Sequence, residues 1–441
     1  MTAPRSVDLL ILGATVVSMD DAWTLIPDGG IAILGTDIVA VGPASEMGLR
    51  YRANARQVLD GSGCLMLPGL INMHTHGADS LFRGLIDDLP LEPWLERLWE
   101  VEKQVLNPQT VEAGARLAYA EMIRGGTTTA LDMFWYPEAS AKAAREAGFR
   151  LLTGPTWFDS TEIDGMTPAD RRHRAPEFLQ EYRHDPLITP CVLAHATYTV
   201  APPHLADARE VADEFDALFS THCSETAAEV EQVQGSYGKR PPALLDSLEL
   251  LGPRTVLAHC VHLERQEVDL LADRRVVVAH CPLSNLKLGS GVAPFAGMRR
   301  AGVRLGLGTD GPVSGNDLDM WWTMRLAAVL HKGVHQDPAL ISAREIVALA
   351  TRGAAAALGK GDEIGALEPG KKADLILIDL DRTHLTPLFD VYSHLVYAVG
   401  RSDVVTTLIN GQVVMRDRRL TTLDESAAIA EVNQIAARIA T

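Results

Sequence analysis

The stretch Pro68-Gly69-Leu70-Ile71-Asn72-Met73-His74-Thr75-His76 places the tightest constraint on what this chain can fold into. Between Leu65 and Ile71 five of seven residues are aliphatic or Met, broken only by Pro68 and Gly69, and two histidines one residue apart follow. A hydrophobic run of this kind reads as a buried strand of a parallel sheet, on which side chains at i and i+2 face the same side. His74 and His76 are therefore expected to converge at the C-terminal end of a strand. Two converging imidazoles are half of a metal site, and the other half must come from elsewhere in the chain.

From about 65 to 360, apolar runs alternate with longer helical stretches, the texture of βα units around a parallel sheet. Eight runs qualify as strands: 65–73, 127–133, 149–155, 188–194, 217–222, 254–259, 275–280 and 303–309. Eight is the barrel number, and such barrels with insertions reach this length. Residues 7–60 and those beyond Gly359 instead carry short strands separated by glycine-containing turns, with Asn410-Gly411 between two apolar runs as a hairpin signal. The expected fold is α/β: a (β/α)8 barrel with a small β-sandwich domain built from both chain ends. The corresponding divisions are 1–64, 65–360 and 361–441, the last ending in a helix.

A net charge of −17 disfavours nucleic acid and anionic lipid as partners. No apolar run approaches the roughly 18–20 residues that cross a bilayer, so no membrane segment is expected. The first residues lack the pattern of a signal peptide, which points to the cytoplasm. Cys64, Cys191, Cys223, Cys260 and Cys281 form no Cys-x-x-Cys pair, and three of them directly follow a histidine. They read as packing residues, not as a disulfide framework or a thiolate metal site.

Chemistry in such a barrel sits at the C-terminal ends of the strands. Strand five ends in His222-Cys223-Ser224-Glu225, strand six in Ala258-His259-Cys260-Val261-His262, strand seven in Ala279-His280-Cys281-Pro282 and strand eight in Leu307-Gly308-Thr309-Asp310. His74, His76, His222 and Asp310 make three imidazoles and one carboxylate, a set for one divalent metal ion. Zinc suits it first, and iron, nickel and manganese also accept it. Asp310 is positioned both to ligate and to take a proton from attacking water. Glu225, three residues past His222, is placed as a proton shuttle, and His259 as a hydrogen-bonding partner of the nucleophile or oxyanion. His262 and His280 are weaker candidates, each open to a purely structural role. Of the aromatic residues near the expected mouth (Trp94, Trp99, Phe134, Trp135, Trp157 and Tyr198), Trp94 is the first candidate for contact with a flat heterocycle.

These motifs, with Leu81-Phe82-Arg83-Gly84, Arg124-Gly125-Gly126-Thr127-Thr128, Pro282-Leu283-Ser284-Asn285 and Leu367-Glu368-Pro369-Gly370-Lys371-Lys372-Ala373-Asp374, resemble the amidohydrolase superfamily across nearly the whole chain. The resemblance is to its aminohydrolase branch: the methylthioadenosine/S-adenosylhomocysteine deaminases and the s-triazine hydrolases. It implies that Glu225 protonates the ring nitrogen and later the leaving ammonia, that His259 holds the nucleophile, and that His195 and Glu102 bind the ribose. It also implies a small heterocyclic substrate and a homo-oligomer. Binuclear relatives bridge two metals with a lysine on strand four; here no lysine lies between Lys142 and Lys239, so one metal is expected. The loop Gly311-Pro312-Val313-Ser314-Gly315-Asn316-Asp317 departs from the deaminase pattern Gly-Ala-Ala-Ser-Asn-Asn. Alternatives are a triazine chlorohydrolase or aminohydrolase, a free-base deaminase of guanine or cytosine type, and a catalytically silent barrel acting as a binding protein.

Overall fold

The expected strand 65–73 is two strands, and the break at Gly69 divides the fold. The computed structural model describes residues 6–439. Cys64–Pro68 pairs with Leu375–Asp379, whereas Leu70–Thr75 pairs with Thr127–Asp132. The Gly69 N–H donates to the Asp374 carbonyl (3.1 Å) and the Leu70 N–H to the Gly126 carbonyl (2.9 Å), so the backbone changes partners within one residue. A side chain at 69 would put its Cβ 2.1 Å from Thr128 Cγ2, and only glycine lets the chain pass so close.

The barrel strands follow in order as Leu70–Thr75, Thr127–Asp132, Arg150–Thr153 continued by Thr156–Trp157, Ile188–Pro190 continued by Val192–Ala196, Phe219–Cys223, Thr255–His259, Val277–His280 and Arg304–Leu307. Every neighbouring pair is parallel. The Asp310 N–H donates to the His74 carbonyl at 3.0 Å, joining the end of the eighth strand to the first. Ile71, Met73, Leu131, Leu152, Leu193, Val256 and Val277 fill the interior, which Ala354, Ala355 and Leu358 close from one end. Gly306 leaves the space that Met73 Sδ occupies, since a Cβ there would stand 1.8 Å from it. The barrel is thus a packed core whose usable space lies at its C-terminal mouth.

The two chain ends meet in one nine-stranded sheet. Val7–Val17, Leu25–Leu34, Asp37–Pro43, Ala55–Asp60 and Cys64–Pro68 come from the N-terminal side; Leu375–Asp379, Val404–Ile409, Gln412–Arg416 and Arg419–Leu420 come from the C-terminal side. Side chains from both sides, among them Ile11, Ile31, Met66, Leu375 and Leu408, share one core cluster. Asn410 and Gly411, at φ 51° and 78°, make the expected hairpin turn. Arg150 on the third barrel strand pairs bidentately with Asp374 at 2.7 and 3.0 Å, both buried, tying the sheet to the barrel. Cys191, Cys223, Cys260 and Cys281 are buried free thiols, as their packing role requires. No helix among the described residues is long and apolar enough to cross a membrane.

Candidate metal centre

Four donor atoms converge at the barrel mouth. His222 Nε2 lies 3.1 Å from His74 Nε2 and 3.2 Å from His76 Nε2, and Asp310 Oδ1 lies 3.4 and 3.2 Å from the same two nitrogens. Donors about 2.0–2.1 Å from a tetrahedral ion stand about 3.3–3.4 Å apart, so these spacings fit a zinc-sized cation. Local chemistry strengthens the fit. The His76 Nδ1–H donates to the Met133 carbonyl (2.6 Å) and the His222 Nδ1–H to the His195 carbonyl (2.7 Å). With Nδ1–H so committed, each Nε2 of a neutral ring is a lone pair aimed at the cluster, and two such lone pairs facing at 3.2 Å repel unless a proton or a metal cation lies between them.

Strict alternation puts His74 and His76 on one face, but on the face opposite Ile71 and Met73, so it does not by itself turn them to the barrel mouth. Ile71 and Met73 already face the barrel interior, and the pairing register with the second strand shifts between Asn72 and Thr75, where the chain reorients. Asp310 and His259 have φ of 65° and 70°, and Ser224 beside Glu225 has 50°. Left-handed non-glycine residues at three strand ends cost about 1–3 kcal/mol each and cluster where function demands a particular side-chain direction.

Burial lowers the His74 pKa to about 4 and, together with the neighbouring imidazoles, lowers that of His222, leaving both neutral. Burial also depresses His76, but the Asp310 carboxylate outweighs it and raises the pKa to about 10. A proton shared by His76 and Asp310 is what a cation would displace.

Glu225 and His259 stand beside the cluster, Glu225 Oε2 being 3.6 Å from His259 Nε2, both buried. The His259 Nδ1–H donates to Asn285 Oδ1 (2.8 Å), which turns Nε2 toward Glu225. Burial raises the Glu225 pKa, opposed by His259 and reinforced by the Asp310 carboxylate. Glu229 accepts the backbone N–H groups of Ser224 (2.9 Å) and Glu225 (2.6 Å) and so fixes the loop that carries Glu225. The Ser314 hydroxyl donates to Asp310 Oδ2 at 2.7 Å, leaving Oδ1 to face the histidines.

Asn285, Glu229 and Ser314 received no role from the sequence. Asn285 lies within a motif quoted above and Ser314 within the divergent loop, but nothing local marks their partners.

A cavity opens over this group. His195, Glu102 and Trp94 all line it, as do Trp99, Phe134, Trp135 and Tyr198. The His195 Nδ1–H donates to Thr199 Oγ1 (2.8 Å), and Glu102 accepts from Trp135 Nε1 (3.2 Å). Trp157 is fully buried and does not line the cavity. Neither do His262, bound to the Ser290 carbonyl (2.7 Å), and His280, paired with His331 (2.9 Å); both are structural.

A profile of the Amidohydrolase family matches residues 65–414, spanning the barrel and every residue of this group. The chain belongs to the amidohydrolase family. One amidohydrolase relative, 5-methylthioadenosine/S-adenosylhomocysteine deaminase 1 of Syntrophus aciditrophicus (strain SB), is 42% identical over 436 residues, or 99% of this chain and 98% of that one. The crystal structure of an adenosine deaminase from Xanthomonas campestris with bound Zn matches with a TM-score of 0.96 at 39% identity, covering 99% of each chain. An atrazine chlorohydrolase from Arthrobacter aurescens TC1 complexed with zinc matches at 0.89 and 26% identity, covering 97% of this chain and 100% of that one.

Proposed function

We propose that this amidohydrolase is a metal-dependent aminohydrolase that deaminates an adenosine-type nucleoside of the methylthioadenosine/S-adenosylhomocysteine kind. The observation that carries the reading is the convergence of three imidazole nitrogens and Asp310 Oδ1 beside the buried pair Glu225–His259. His74, His76, His222 and Asp310 would hold one divalent ion, zinc by donor type. Such an ion supplies water acidified to a pKa of about 7 and an electrophilic pole for developing negative charge.

The side chains do the rest. Glu225, whose pKa burial raises, gives its proton to the ring nitrogen next to the amine-bearing carbon. His259, oriented by Asn285, hydrogen-bonds the oxygen that attacks this carbon. The two protons of the attacking water pass through Asp310 and Glu225: one goes to the amine leaving as ammonia, the other restores Glu225. His195 and Glu102 offer hydrogen bonds to the ribose, and Trp94 an aromatic face to the base. The divisions 1–64, 65–360 and 361–441 and a homo-oligomeric assembly complete the proposal.

The test is ammonia release by the metal-loaded protein on methylthioadenosine, S-adenosylhomocysteine, adenosine, guanine, cytosine and amino-triazines, with chloride release followed on chlorinated triazines. Preferential ammonia release from the adenosine compounds is expected. Activity confined to free bases or triazines would remove the nucleoside reading, and chloride release alone would move the chain to the chlorohydrolase reaction. Deamination is favoured because Glu225 and Asp310 together supply the protons that an amine needs to depart and chloride does not.

A further inference from the structure

The helix Met320–His335 follows the loop that carries Asp310, and it has one face that nothing among the described residues covers. Trp321, Met324, Ala328 and His331 are buried against the body of the protein. Trp322, Val329, Gly333 and Val334 are exposed, with Leu326 and Leu330 half-buried between them. The helix has no acidic residue, and its one arginine and one lysine lean away from this face. Arg325 donates to the Val396 and Val399 carbonyls (3.3 and 3.0 Å), and Lys332 to the Tyr397 hydroxyl (2.6 Å). A surface helix ordinarily shows charged and polar residues to water. This one shows an uncharged apolar stripe, about 18 Å long at 1.5 Å per residue, in a protein of net charge −17.

Two features say what covers the stripe. Trp322, Leu326, Leu330 and Val334 recur every four residues, the kind of ridge by which helices interlock at about −50°. This ridge is symmetric about position 328. A second copy placed antiparallel across a two-fold axis therefore sets Trp322 opposite Val334 and Leu326 opposite Leu330, with the helix dipoles opposed and no like charges brought together. Gly333 is the other feature. Glycine weakens a helix relative to alanine, and nothing in the chain requires one here, since a Cβ at 333 would meet no described atom within 4 Å. Bare backbone beside Val334 leaves room for a large group from outside, and the ridge pairing brings Trp322 of the second copy to that place.

The area is sufficient. Trp322, Val329 and Val334 (42, 47 and 55% exposed), with Leu326, Leu330 and the adjoining Tyr397, offer roughly 400–500 Å² of mostly apolar surface, more than half of the about 800 Å² that each partner buries in a stable dimer. An anionic membrane is a poor alternative, because a helix lying on one presents lysine and arginine around its apolar face.

We propose that the exposed face of Met320–His335 is a two-fold interface through which this chain pairs with a second copy of itself. The proposal gives a face to the homo-oligomeric assembly proposed above and rests on that part of the reading alone.

The test is sedimentation velocity of the metal-loaded protein at micromolar concentration. The wild-type protein is expected at twice the 47.7 kDa of one chain, or as an assembly of such dimers. Leu326→Glu, repeated on both sides of the axis, should halve that mass or weaken the association at least about hundredfold. Gly333→Leu should weaken it at least about tenfold while leaving the single chain as resistant to unfolding as before, or more so, because leucine favours a helix. A variant damaged in its fold would lose both properties. Leu49→Glu, at an exposed apolar position on the separate helix Ala44–Tyr51, should leave the association unchanged. A wild-type monomer overturns both the assembly and its face. A trimer, which has no two-fold axis, or an oligomer of full strength in both stripe variants, keeps the assembly and overturns the face.

Discussion

Two pairs of histidines approach each other through Nε2 at nearly the same distance, His222–His76 at 3.2 Å and His280–His331 at 2.9 Å. Distance alone does not tell a metal site from a packed pair. In the first, both Nδ1–H groups are committed to backbone carbonyls, a third imidazole adds its Nε2, and a carboxylate oxygen completes the set. In the second, both Nδ1 atoms lack partners, so one Nε2–H is free to donate to the other ring. Phe295 stacks on His331 with centroids 4.5 Å apart, and neither His280 nor His331 belongs to a three-donor group among the described residues. The carbonyl holding Nδ1 decides which nitrogen is a lone pair, and hence which pair calls for a cation.

The widest separation between the two pairs is expected on truncation. His222→Ala should reduce bound metal to less than about a tenth of an ion per chain and activity by about ten-thousandfold or more, measured by elemental analysis and ammonia release. His331→Ala should leave metal content unchanged and destabilise the fold by about 2–4 kcal/mol in denaturant unfolding, the cost of emptying a packed site. Equal metal loss in both variants would erase the distinction.

A smaller effect separates ligation from proton transfer within the first cluster. Glu225→Gln should retain the metal and lower kcat by about a hundredfold to ten-thousandfold; turnover near the wild-type rate would take Glu225 out of the proton path. Because burial raises the Glu225 pKa and the acid form is the donor, kcat/KM should fall as pH rises through that elevated value. Residual activity of the Gln variant should lack this alkaline limb.

The smallest expected effect is at Asn285, which touches His259 alone among the proposed catalytic groups. Asn285→Ala should cost about ten- to a hundredfold in kcat with metal content preserved. Loss of metal instead would mean that His259 ligates, a geometry its neighbourhood also permits, since its donor atom lies within 4.8 Å of those of His74 and His222.

The sequence by itself determined the barrel, its eight strands and the group His74, His76, His222, Asp310, Glu225 and His259. Strand ends and i, i+2 or i+3 spacings are local properties, and a barrel of known strand order brings local motifs to one mouth. His195, Glu102 and Trp94 also reach the cavity, by resemblance or aromatic chemistry in place of spacing. Only the tertiary structure decided that Gly69 divides one apolar run between two sheets, because the close approach to Thr128 comes from the next strand. It alone separated His280 and His262 from the site and gave Asn285, Glu229 and Ser314 their partners. Each of those outcomes depends on which carbonyl, amide or hydroxyl from a distant segment meets a given side chain, and residue spacing along one chain does not encode that meeting.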